Sequence, residues 1–151
     1  MTYRQKTVVA TLVSFGLITI YYVARVLQMA GAGQLEAQAL FRLWFLVIGL
    51  SIGATIVVII AMHIVDAIAT AARTGDQDPQ IDTTEDERDD LIKLKGAQVT
   101  HIAASLGVLA SMLAFVLGQP GLIMFAALIL SGLLAEIVGG VAQLIMYRLD
   151  L

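Results

Sequence analysis

"LWFLVIGLSIGATIVVIIAMHIVDAIATAA", Leu43 to Ala72, runs for thirty residues with no lysine or arginine and a single acid, Asp66. A helix crosses the ~30 Å hydrocarbon core of a bilayer with ~20 predominantly apolar residues, so this stretch spans a membrane with residues to spare. At ~1.5 Å per residue it outruns the hydrocarbon, and one end must project. Its ionisable residues, His63 and Asp66, are three apart and share a helix face. Such groups are costly in lipid and mark either a pairing or a function.

The rest of the chain has the same character. Of 151 residues, 59% are hydrophobic and only 14% charged, and the mean hydropathy is +0.88, which excludes an ordinary soluble domain. Stretches at Thr7 to Ala30, Leu91 to Leu117 and Leu122 to Tyr147 are also long and apolar enough to span. The breaks carry turn residues: "GAGQ" at Gly31, "TGDQDPQ" at Thr74 and "GQPG" at Gly118. The sequence therefore predicts an all-α, polytopic membrane protein of one domain, 1–151. Its four transmembrane helices, about 7–30, 37–73, 84–117 and 122–148, form an antiparallel bundle. The first segment is too long for the apolar part of a cleaved leader and reads as a permanent helix. With no cysteine, thiolate metal sites and dithiol chemistry are excluded.

Arg4, Lys6, Arg73, Arg88, Lys93, Lys95 and Arg148 fall on one side of the predicted spans, and Arg25 and Arg42 toward the other. The positive-inside rule then makes both termini and the 75–90 loop cytoplasmic. Trp44, Tyr21 and Tyr22 suit an outer aromatic belt. Helices two and three extend into the cytoplasm as a hairpin: Gly75 suits a helix C-terminus, Pro79 blocks continuation, and Thr84 with Glu87 fits a capping box.

Each helix has a line of polar or small residues. Helix two has Ser51, Thr55, His63, Asp66 and Thr70; helix three has Gln98, His101 and Ser105; helix four has Gly132, Glu136, Gly140, Gln143 and Tyr147; helix one has Thr11, Ser14, Tyr21 and Arg25. If these lines face one another, His63, Asp66, Gln98, His101 and Glu136 form a buried cluster in the cytoplasmic half. Three chemistries fit it: a coupled protonation switch, a divalent metal held by His63, Asp66, His101 and Glu136, or simple interhelical hydrogen bonding. Bis-histidine haem ligation by His63 and His101 has no second signal beside it. Small-x-x-x-small spacing at Gly49/Gly53, Gly107/Ser111 and Ser131/Ala135/Gly139 predicts close helix packing, within the bundle or across a homodimer.

Eight of the twelve acids lie between Asp76 and Asp90. The run is not an EF-hand, since Ile81 stands where the calcium loop needs glycine. It is either a solvated turn or, through Glu85, Glu87, Arg88, Asp89 and Asp90, a docking surface for a cytoplasmic protein, with no direct nucleic-acid binding. At "EDERDDLIKLKGAQVTHIA", Glu85 to Ala103, and "LLAEIVGGVAQLIMYR", Leu133 to Arg148, the chain resembles an uncharacterised family of small bacterial four-helix integral membrane proteins. These carry a Glu-Asp-Glu-Arg-Asp stretch before the third helix. The resemblance implies Glu87, Arg88 and Asp89 as a signature, with Glu136 and Gln143 corresponding; His101 departs from the pattern. It also implies gene neighbours of the helix-turn-helix regulator type as partner, and no reaction.

G-x-S-x-G, H-E-x-x-H and P-loop patterns are absent, so the expected function is non-enzymatic and needs no cofactor. The first reading is a regulatory or sensory membrane protein. The alternative is a small dimeric proton- or cation-coupled transporter or channel. Leu122 to Leu130 of helix four is wholly apolar, which favours the sensor, because a transport path needs polarity to both faces.

Overall fold

The computed structural model describes residues 3–74 and 87–149. Four helices account for almost all of them: α1 (Tyr3–Gly31), α2 (Ala37–Thr74), α3 (Glu87–Val116) and α4 (Gly121–Arg148). All four are long and apolar enough to cross a membrane. At 38 residues, α2 is about 57 Å long at ~1.5 Å per residue, nearly twice the hydrocarbon thickness.

Two tight connections end on glycines that the backbone requires. Gly33 (φ 66°) and Gly118 (φ 97°) lie in the left-handed region, where a Cβ is disfavoured. After α1, Gly33 N–H donates to Ala30 O and Gln34 N–H to Met29 O; after α3, Gly118 N–H donates to Phe115 O and Gln119 N–H to Ala114 O. Both are Schellman closures, which satisfy the last carbonyls of α1 and α3. Pro120 then caps α4 with an extended backbone.

The helices are neighbours in the order α2, α1, α4, α3. The largest interface is α3 on α4, followed by α1 on α4 and α1 on α2, with a small contact between α2 and α4. Residue pairs fix the directions: Lys6 lies beside Asp66, Tyr22 beside Ala126, Leu12 beside Gly140 and Gly96 beside Gln143. Consecutive contacting helices are therefore antiparallel, and the starts of α1 and α3 share one end with the finishes of α2 and α4. We call this the terminal end. The Gly33 and Gly118 turns lie at the distal end.

An apolar core fills the distal half, built from Ile18 and Tyr22 of α1, Leu43 and Val47 of α2, and Leu133 of α4. The outside is also apolar: Ile56, Val57 and Ile60 of α2 and Leu106, Leu109 and Met112 of α3 are all exposed. A solvated protein could not tolerate that surface, whereas lipid requires it. Tyr22 corrects an expectation. It is buried and donates its hydroxyl to Ala126 O at 2.8 Å, so it belongs to the core and not to an interfacial belt. Trp44, packed against Phe41, Phe45 and Phe125, does lie toward the distal end.

Candidate functional site

The contacts between α4 and its neighbours are made through small residues. A Cβ on Gly139 would collide with the Thr100 hydroxyl and come within 3.2 Å of Gly96 O; one on Gly96 would strike the Gln143 side chain, and one on Gly107 the Ser131 side chain. On the other flank, a Cβ on Gly140 would sit 2.9 Å from Leu12 Cγ. The consecutive glycines 139 and 140 thus let α3 and α1 approach α4 from two sides at once. With roughly 100° between successive residues, Glu136, one turn earlier, points between those two directions.

Glu136, itself exposed where the sequence predicts burial, lines a cleft of ≈ 150 Å³ between α1, α3 and α4. Its polar lining comes from three helices: Thr7 and Thr11 of α1, Thr100 of α3, and Glu136 and Gln143 of α4. Val8, Leu12 and Phe15 supply the apolar wall. The Thr100 hydroxyl donates to Gly96 O at 3.2 Å, which leaves its oxygen lone pairs as acceptors. The residue numbers place the cleft between mid-span and the terminal end, with the apolar core closing the distal half. The polarity is therefore one-ended. Sequence reasoning had Glu136, Gln143 and Thr11 on inward lines but missed Thr7 and Thr100. The signal for Thr100 was its four-residue spacing from Gly96, a small-residue face rather than a polar one.

The expected buried cluster of His63, Asp66, Gln98, His101 and Glu136 is not formed. α2 and α3 stand at opposite edges, so His63 and His101 cannot share a ligand or a proton with each other. Gln98, His101 and Ser105 are exposed on the side of α3 away from α4. Among the described residues no group of three or more histidine, aspartate or glutamate side chains could hold a metal, which removes the site proposed for His63, Asp66, His101 and Glu136; the haem arrangement of His63 with His101 falls with the edge positions of their helices. Asp66 instead meets Lys6, Nζ to Oδ1 3.8 Å, and His63 is exposed with Nδ1 3.3 Å from Ile59 O.

The physical reason is that hydroxyl stripes need no facing helix. Ser14, Thr19, Thr55, Thr100 and Ser111 each bond the carbonyl four residues back, and Ser131 the one three back. They are satisfied by their own helices. Which faces meet is then decided by how closely backbones can approach.

In the acidic region Glu87 and Asp90 are exposed and Arg88 and Asp89 half-buried in the first turn of α3, where acids favour the helix dipole. Gly75, Pro79, Thr84 and Glu85 lie outside the described residues. No family model matches the chain, and no curated protein or solved structure matches it. The four-helix membrane architecture therefore stands without a family identified for it.

Proposed function

We propose that this is a non-enzymatic regulatory or sensory protein of the bacterial inner membrane, whose input is a small monovalent cation taken up beside Glu136. The output is the terminal end, where α2 and α3 lead into the acidic segment that includes Glu85, Glu87, Arg88, Asp89 and Asp90. That segment suits a basic cytoplasmic protein partner, such as a helix-turn-helix regulator.

The observation that carries this reading is the one-ended cleft. A carboxylate, three threonine hydroxyls and a glutamine amide line it; oxygen donors of this kind suit hard cations, and the single negative charge balances a singly charged one. A carboxylate within a span is a functional hypothesis by default. The distal half is filled by Ile18, Tyr22, Leu43, Val47 and Leu133, and its buried hydroxyls, Thr19 and Ser111, are bonded to carbonyls of their own helices, which supports a binding site over a through-path. Occupancy would draw α1 and α3 together over α4, and both run to the terminal end.

The test uses the purified full chain in lipid nanodiscs. Thermal stability should rise with sodium chloride relative to N-methylglucamine chloride at equal ionic strength, and Glu136→Gln should remove that difference while remaining folded. The same stabilisation in Glu136→Gln would refute the assignment. Sodium or proton flux through proteoliposomes, abolished by Glu136→Gln, would replace it with the transporter reading.

A further inference from the structure

We propose that the outer face of α3 is a homodimer interface, with two copies packed α3 against α3 in parallel about a two-fold axis along the membrane normal. This is independent of the ion reading for Glu136.

α3 meets α4 through Gly96, Thr100 and Gly107, and Ser111 on the same face is buried. On its opposite side stand Leu94, Gln98, His101, Ser105, Val108 and Met112, all exposed. Their spacing alternates four and three residues, the a/d repeat of two helices wound on each other. Gln98, His101 and Ser105 are three successive positions of that repeat inside a span. Lipid offers them no hydrogen-bond partner.

A second copy does, because of which residues they are. Glutamine, serine and neutral histidine each carry both a donor and an acceptor. In a two-fold interface each meets its own counterpart, and only such self-complementary groups can bond there; a lysine or glutamate would repel itself. The flanks agree in charge. Asp90 and Lys95, both exposed, fall at the g and e positions of the same repeat, five residues apart. A parallel pair brings g of one helix to e of the other, acid to base. Copies inserted in the same orientation have parallel α3 helices, as this geometry requires.

The chain has no cysteine, so single cysteines report the interface directly. Ser105→Cys and Gln98→Cys, oxidised with copper phenanthroline in native membranes, should each give a covalent dimer at least five-fold more abundant than Leu106→Cys. Leu106 is also exposed but lies on the flank of the stripe. Equal yields at the three positions, or no dimer, would overturn the proposal. So would a His63→Cys/Ser105→Cys variant that closes an intramolecular bridge without doubling the 16.1 kDa mass, since α2 of the same chain would then cover the face. Sedimentation of the unaltered chain in detergent should show a dimer; a monomer at every concentration overturns the inference.

Discussion

At the residue scale, the ionisable side chains of the spans have separate fates, and each was set by its helix neighbours more than by its own line of polar residues. Asp66 on α2 faces Lys6 on the neighbouring α1, with the Asp66 side chain 24% and the Lys6 side chain 43% exposed. At 3.8 Å the pair is long, and the Lys6 ammonium is well exposed. A double-mutant cycle with Lys6→Gln and Asp66→Asn should therefore give a coupling below ~1 kcal/mol in thermal unfolding, the range of exposed ion pairs. A coupling of several kcal/mol would mean that the pair is desolvated and holds α2 to α1. Glu136 has no such basic residue among the groups lining its cleft. That chemical difference makes Glu136, and not Asp66, the centre of the functional reading.

At the element scale, the glycines sort into two kinds that look alike in sequence. Gly139 has the Thr100 hydroxyl where its Cβ would be, whereas Gly49 and Gly53 of α2 have nothing within 4 Å. Gly139→Ala should therefore destabilise the fold by about 1–3 kcal/mol through overpacking of α3 on α4. Gly53→Ala should cost nothing, or gain slightly from helix propensity. Thermal unfolding of both variants in one lipid condition checks this, and an equal loss for the two would mean that α2 also packs through its glycines. The four helices and their turns were legible because length, hydropathy and turn residues act locally. The order α2, α1, α4, α3 was not, since small-x-x-x-small spacing at Gly107/Ser111 and at Gly49/Gly53 cannot say which stripe finds a partner. The misread line on α3 shows why. Gln98, His101 and Ser105 were turned inward on polarity, but Gly96 and Thr100 on the other face allow the closer backbone approach, and in lipid that contact decides.

At the scale of the whole molecule, the remaining quantity is orientation. The antiparallel contacts place residues 3, 74, 87 and 148 at one end, and Lys6, Arg88, Lys93, Lys95 and Arg148 cluster there, with Arg25 and Arg42 toward the other. Basic residues flanking spans stay cytoplasmic because the potential and the insertion machinery oppose their transfer, while acids weigh little. The terminal end is then expected to be cytoplasmic in spite of the acidic segment. Single cysteines at Asp78 and Gln119 test it, in a chain that has none of its own. In intact cells an impermeant maleimide should label Gln119→Cys, beside the Gly118 turn, and leave Asp78→Cys unlabelled until the membrane is opened. The reverse pattern would place the acidic segment outside. The cleft at Glu136 would then open toward the exterior, and a cytoplasmic partner for the α2–α3 end would be ruled out on geometry alone.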